Sequence, residues 1–137
     1  LGWEDLANDD IALINKGNIS EQFVAQHLAY RFGGLEAPEL FYWLREGKSN
    51  NAEVDFVTSD KGNLVIIEVK SGKSGSLRSV HQLIAKTGLK KAYRFDINPP
   101  SKQHVLTSIK SKEKQREVEF DLVSLPAYMI ETFLNCC

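Results

Sequence analysis

The sequence predicts a mixed α/β fold in which a mixed β-sheet is flanked by helices, with the element order α-β-β-β-α-β. Apolar residues at helical spacing come first, three strand-like segments follow, and a second helical stretch then leads directly into an alternating segment. With 137 residues and 42% hydrophobic content, the chain is long enough for one domain with a single core and too short for two.

The first helix is predicted from residues that recur at helical spacing, and it should end at Gly33-Gly34. These residues are Phe23, Val24, His27, Leu28 and Phe32. Three strands are predicted next, at 40–45, 53–58 and 64–70. The polar stretch 59–63 forms a turn between the last two, so the three strands should form an antiparallel meander.

The second helix is predicted to begin with Ser76 as its cap and to end at Gly88. Its apolar face consists of Leu77, Val80, Leu83, Ile84 and Thr87. Residues 93–97 alternate directly afterwards, which predicts a β-α-β crossover and therefore a parallel pair of strands. Further strands are predicted at 105–109 and 120–124, and a short helix from Pro126 to about Leu134.

The third strand contains an acid and a lysine on one face. Glu68 and Lys70 are two residues apart, and side chains at that spacing in a strand point the same way. Glu68 follows the apolar run 64–67, and burying a carboxylate without a partner costs several kcal/mol. Asp55 lies on the preceding strand, and the turn can bring it opposite Glu68. Two carboxylates and a lysine are therefore predicted to converge.

Such a cluster has a limited chemical repertoire. Two neighbouring carboxylates repel each other, and a shared proton or a hard divalent cation such as Mg²⁺ or Mn²⁺ relieves the repulsion. Lys70 is not a cation ligand, but its ammonium can orient or deprotonate a water and stabilise charge on a scissile phosphate. The cluster therefore predicts metal-assisted hydrolysis of a phosphodiester.

Asp55 followed by Glu68-Val69-Lys70 resembles the PD-(D/E)XK signature of restriction-endonuclease-like nucleases, and the element order resembles the core of that superfamily. Val54 stands where the name of the signature has proline. Over roughly residues 15–130 the chain also resembles the C-terminal domain of many prokaryotic AAA-type ATPases. That second resemblance depends on Lys16-Gly17, Glu21-Gln22-Phe23-Val24, Tyr42-Trp43, 53–57 and 67–70.

The resemblance implies a restriction-endonuclease-like domain over residues 16–137. Residues 1–15 would be a connecting segment from an upstream domain, with the AAA-type ATPase in the same chain. It also implies that Asp55 and Glu68 are metal ligands, that Lys70 is the catalytic lysine, and that Glu21 completes the metal site. Glu21 stands three residues after Asn18, so capping of its own helix is an equal alternative.

Positive charge is concentrated in the second half of the sequence. Residues 1–68 hold five Lys or Arg against twelve Asp or Glu, and residues 69–137 hold twelve against six, so the halves carry −7 and +6. Basic residues without an intervening acid are Lys70, Lys73, Arg78, Lys86, Lys90, Lys91 and Arg94. They predict a phosphate-facing surface, with Lys73, Arg78, Gln82 and Lys86 as nucleic-acid contacts. A solvated helix face is the alternative.

The function expected from these features is a metal-dependent nuclease acting on DNA. The alternative is a catalytically silent module that binds nucleic acid or a partner for the ATPase. The sequence has no signal peptide and no apolar run of membrane length, so a cytoplasmic location is expected, and the oligomeric state is not indicated. Tyr42 and Trp43 are expected to pack in the sheet, and His27 and His81 are not expected to bind a metal.

Overall fold

The computed structural model describes residues 19–30, 40–45, 52–60, 62–71, 76–111 and 114–136. The helices are α1 over 19–30, α2 at Arg78–Thr87 and α3 at Ile130–Cys136, with a 3-10 turn at Ala127–Met129 before α3. The strands are β1 Leu40–Arg45, β2 Ala52–Asp60, β3 Asn63–Val69, β4 Lys91–Asp96, β5 Ser101–Ser111 and β6 Lys114–Pro126. The predicted order α-β-β-β-α-β is confirmed, and the predicted connecting segment 1–15 lies outside the described residues.

The six strands form one mixed sheet in the order β1-β2-β3-β4-β6-β5. The strands β1, β2 and β3 are antiparallel neighbours, which confirms the meander. The pairing of β3 with β4 is parallel, which confirms the crossover through α2. The strand β6 joins β4 in parallel and pairs with β5 as an antiparallel hairpin. The edges of the sheet are therefore β1 and β5.

Buried side chains form a hydrophobic cluster on each face of the sheet. The cluster on the face covered by α2 contains Val54, Ile66, Val80, Leu83, Ile84, Ala92, Val118, Phe120 and Leu122. The cluster shared with α1 and α3 contains Val24, Leu28, Ile67, Val69, Phe95, Ile130 and Phe133. Because Ile66 belongs to the first cluster while Ile67 and Val69 belong to the second, the alternation of β3 directs Glu68 toward the α2 face.

Helix α2 differs from its prediction at the start and agrees at the end. The helix begins at Arg78 with Leu77 as its N-cap, so Ser76 is not the cap. The hydroxyl of Ser76 instead accepts a hydrogen bond of 3.2 Å from the Arg78 N–H, and the cap lies one residue later than predicted. Gly88 ends the helix with φ +72°, and its N–H donates to the Ile84 carbonyl. Glycine adopts this left-handed conformation at little cost.

The hairpin formed by β5 and β6 is longer than the sequence predicts. Its strands extend over 101–111 and 114–126, whereas only 105–109 and 120–124 were expected. Only residues 121–126 of β6 pair with β4, so the remainder of the hairpin projects beyond β4. Among the described helices, none combines the length and the apolar character that crossing a membrane requires.

Candidate functional site

The site begins where β2 and β3 separate. Their pairing ends at Phe56 and Ile67, so Asp55 and Glu68 are the first residues beyond the paired part of the two strands. The charge of Asp55 is close enough to Glu68 to raise the pKa of the Glu68 carboxyl. The end of the pairing therefore brings the two carboxylates within electrostatic range of each other.

Where β2 and β3 separate, the carboxylate of Asp55 takes the place of a backbone carbonyl as a hydrogen-bond acceptor. The Lys70 N–H donates to the Phe95 carbonyl on β4 at 2.8 Å. Successive N–H groups of a strand point to opposite sides, so the Val69 N–H faces β2. Its acceptor there is the Asp55 carboxylate oxygen Oδ2, at 2.7 Å. This hydrogen bond fixes the Asp55 carboxylate beside the end of β3.

Glu68 is a buried carboxylate with only one of its two oxygens satisfied. The residue is 4% exposed, and its Oε1 accepts a hydrogen bond and ion pair from the Lys70 ammonium. Its Oε2 is buried without a hydrogen-bond partner among the described residues. The Lys70 side chain is 27% exposed, so its ammonium connects the buried acid to the surface. The site therefore has one oxygen available to a further partner.

Burial makes both carboxyl groups harder to ionise. It raises the pKa of Glu68 to about 7, and repulsion from the Asp55 carboxylate acts in the same direction, while Lys70 and a hydrogen bond from the Asp55 backbone N–H oppose them. The pKa of Asp55 is also raised, chiefly by burial, although the Val69 N–H and Lys70 lower it. A positive charge placed between the two groups would favour the ionised form of both.

Glu21 lies within electrostatic range of Asp55 and Lys70. The pKa of its carboxyl is raised by burial first and then by Asp55 and Glu53, with Lys70 acting in the opposite direction. Among residues that the structure describes, no three acidic, histidine or cysteine side chains come together as a group able to hold a metal ion. The structure therefore brings Asp55 and Glu68 together and places Glu21 within electrostatic range of Asp55, without closing a three-ligand set among the described residues.

The donor chemistry of the pair fits a hard divalent cation. Both side chains offer carboxylate oxygens, the ligand type that Mg²⁺ and Mn²⁺ prefer. The Oε2 atom of Glu68 is buried and unpaired among the described residues, and an unpaired buried acceptor carries a cost of about 1–3 kcal/mol. A cation at this position would remove that cost and the repulsion between the two acids.

The predicted nucleic-acid contacts are distributed along α2. Arg78 is exposed in the first turn, where the Ser79 hydroxyl accepts a hydrogen bond of 3.2 Å from the Glu53 N–H on β2. Gln82 and Lys86 lie farther along the helix and line a pocket whose lining includes none of the three central residues of the site. Lys73 lies outside the described residues. The Ser79 hydrogen bond therefore connects the start of α2 to β2, the strand that carries Asp55.

Arg94 does not lie on the surface, which corrects the expectation for that residue, while the phosphate-facing surface itself stays a prediction. The Arg94 guanidinium is largely buried and pairs with Asp96 at 3.1 Å. Lys90 lies 4.0 Å from Glu119, and the Lys91 ammonium lies over an aromatic ring. Glu119 is distant in the sequence, whereas Asp96 and the ring of Tyr93 lie two residues along the same strand from their partners. Basic residues that the sequence pattern assigned to a phosphate surface therefore have contacts within the fold.

A buried polar network lies on the strand next to Glu68. Arg94 is the register partner of Glu68, and its Nε donates to the Ser124 hydroxyl at 3.1 Å as well as pairing with Asp96. Asn98 donates to both oxygens of Asp96, through its backbone N–H and its side-chain amide. The guanidinium charge is thus compensated locally, so the carboxylate of Glu68 depends on Lys70 for its ion pair.

The remaining predictions concern two aromatic residues and two histidines. Trp43 packs against the cluster on the α2 face, as predicted, but Tyr42 is 68% exposed and does not pack in the core. The Nδ1 atom of His27 lies 2.8 Å from the Phe23 carbonyl, and the His81 ring packs edge-on against Phe120. Both histidines therefore have packing partners within the fold.

The chain matches a known protein family over most of its length. The family described as "Domain of unknown function (DUF4143)" matches residues 16–128. No curated protein matches the chain.

Proposed function

Because the chain belongs to the DUF4143 family, a domain of unknown function, we propose its activity from the site alone: cation-dependent hydrolysis of a phosphodiester bond, as in a nuclease. One observation carries the proposal. Glu68 is buried with Oε1 bound to Lys70 and Oε2 unpaired among the described residues, within electrostatic range of the Asp55 carboxylate. This arrangement has an acidic side that suits a cation and a basic side that suits a phosphate.

Asp55 and Glu68 would hold the cation, Mg²⁺ or Mn²⁺, with Glu21 near enough to add negative charge. When bound, the cation supplies charge neutralisation and Lewis acidity toward a phosphate oxygen. The residues of the chain prepare that site in its absence. The Val69 N–H orients Asp55, and Lys70 orients Glu68, so neither carboxylate has to be immobilised when the substrate arrives.

Lys70 has the second role. The Lys70 side chain is partly exposed, and its ammonium forms an ion pair with Glu68. From there it orients the attacking water and stabilises the negative charge that develops on the phosphate oxygens. Because this charge grows toward the transition state, Lys70 contributes more to the rate than to ground-state binding.

The resemblance to the PD-(D/E)XK signature supports this proposal, since Asp55, Glu68 and Lys70 occupy the positions of its acids and lysine. We extend the proposal accordingly to DNA as the substrate and to an AAA-type ATPase domain in the same chain as the partner. The proposed location is the cytoplasm. The element order α-β-β-β-α-β is compatible with the restriction-endonuclease-like fold.

A cleavage assay tests the proposal. The chain is incubated with Mn²⁺ and with plasmid, linear or single-stranded DNA, beside Lys70→Ala and the control Lys102→Ala. Lys102 is an exposed lysine paired with Asp121 on the hairpin, so the control has the same change in charge. We expect cleavage by the parent and the control, and a rate at least roughly 10²-fold lower for Lys70→Ala. Equal rates for all three would reject the assignment of Lys70, and no cleavage of any DNA would favour a binding module.

A further inference from the structure

A pocket of about 220 Å³ lies where the β5–β6 hairpin crosses α2 and approaches β1. Its lining includes Trp43 and Arg45 from β1, Gln82 and Lys86 from α2, and Arg116 from β6. The strands β1 and β5 are opposite edges of the sheet, so the projecting hairpin must fold across α2 to bring these residues together. We call this cavity the hairpin pocket.

The hairpin pocket is rimmed by positive charge from three separate elements. Arg45, Lys86 and Arg116 are all exposed, and the lining contains no acidic residue. None of the three forms an ion pair with another residue in the described part of the chain. Three cations around one cavity repel each other, and a bound anion converts that repulsion into attraction. The charge distribution therefore selects an anionic ligand.

The uncharged lining indicates more than a simple anion. Gln82 adds a side-chain amide to the lining, and an amide NH₂ group can donate hydrogen bonds to phosphate oxygens. Trp43 adds an aromatic ring to the same lining, and aromatic rings stack on nucleic-acid bases. An anionic group with acceptor oxygens and a flat ring occur together in a nucleotide unit.

The hairpin pocket adjoins the site of Asp55. Trp43 is the register partner of Val54, and Arg45 is the register partner of Ala52. Neighbouring strands lie about 4.8 Å apart, so the β1 side of the pocket is one strand away from the residue that precedes Asp55. Successive phosphates of one strand rise by only about 3.4 Å along a duplex, so one polynucleotide can reach both places.

We propose that the hairpin pocket binds a backbone phosphate of a polynucleotide, a few nucleotides from the bond at Asp55 and Glu68. The choice of a polynucleotide rests on the proposed function, whereas the choice of a phosphate rests on the three cations. A cavity of about 220 Å³ is smaller than the roughly 300–1,000 Å³ that encloses a whole small-molecule ligand. It fits one phosphate and part of its nucleotide, with the rest of the strand outside.

The test measures binding without cleavage. A fluorescently labelled single-stranded oligonucleotide is titrated with the full chain in EDTA at several salt concentrations, and anisotropy is recorded. Arg45→Ala and Arg116→Ala should each weaken binding about tenfold, and each should reduce the log–log salt slope by about 0.7, the value for one lost phosphate contact on a single strand. The charge-matched control Lys102→Ala should keep the parent affinity within about twofold and the parent slope.

Both arginines are exposed, so their replacement should leave the melting temperature close to that of the parent. Arg45→Lys and Arg116→Lys retain the charge and should recover most of the lost affinity. Unchanged binding by both alanine variants would overturn the proposal, as would an equal loss in Lys102→Ala, which would indicate a general field instead of a pocket. Inorganic phosphate that competes at the same concentration as the oligonucleotide would overturn the polynucleotide assignment.

The outcomes separate this proposal from the proposed function. If the alanine variants lose binding and the parent cleaves no DNA, the phosphate pocket stands and the hydrolytic function falls. If the parent cleaves DNA and the alanine variants bind and cleave like the parent, the function stands and the hairpin pocket falls.

Discussion

Replacing Glu68 with glutamine should stabilise the protein at alkaline pH. The structure raises the pKa of this carboxyl from 4.5 to about 7, mainly by burial, which corresponds to about 3 kcal/mol of cost for the ionised form. Below pH 4.5 the group is protonated in both the folded and the unfolded chain. Between 4.5 and about 7 the unfolded chain ionises first, so the parent should lose stability as pH rises through this window and then level off.

The assay is thermal or urea unfolding of the parent and Glu68→Gln at about pH 5 and about pH 8 without divalent cations. Glutamine cannot ionise, and its carbonyl can still accept from Lys70, so the variant should gain up to about 3 kcal/mol at the higher pH, on the order of 10 °C. Glu117→Gln changes the same charge at an exposed position and should shift stability by less than about 0.5 kcal/mol. A Glu68→Gln variant that melts at or below the parent at about pH 8 would refute the assigned burial cost.

Three further predictions concern the surroundings of this acid. Asp55→Ala should be less stable than Asp55→Asn by about 1–2 kcal/mol in urea unfolding, because asparagine keeps an acceptor for the Val69 N–H; equal stabilities would contradict that hydrogen bond. Lys70→Ala should bind Mn²⁺ at least as tightly as the parent in calorimetry, since the substitution removes the positive charge of the Lys70 ammonium. A large loss of Mn²⁺ affinity would contradict this expectation and would show that Lys70 is needed to form the metal site. Gly88→Ala should lower the free energy of unfolding by about 1 kcal/mol, because alanine rarely adopts the φ of +72°. No atom lies within 4 Å of an added Cβ, so steric crowding should add nothing to this loss. An unchanged unfolding midpoint would contradict the left-handed conformation of residue 88.

Local patterns were sufficient where one segment determines its own environment. The bounds 40–45 of β1 were predicted from aromatic and β-prone residues, and the parallel pair β3–β4 from the helix between two strands. The buried position of Glu68 followed from the apolar run before it. In each case the periodicity of one stretch, or its order among neighbours, carried the information.

Features that depend on distant partners were not predictable from the sequence. The outer part of the hairpin is polar and exposed, so it lacks the alternation that marks a half-buried strand. Arg94 was assigned to a phosphate surface because nothing in its local sequence indicates Ser124 as a partner. Arg45 and Arg116 were missed for the same reason, since only the fold of the hairpin over α2 brings them to one pocket.

Calorimetric titration of Mn²⁺ into the full chain at about pH 8 tests the central claim most directly, because Glu68 is then ionised in the folded protein. The parent and the control Glu117→Gln should show one saturable site, and both Asp55→Asn and Glu68→Gln should lose it. Parent-like Mn²⁺ binding by either of these two variants would show that Asp55 and Glu68 do not share a cation, and it would contradict the account.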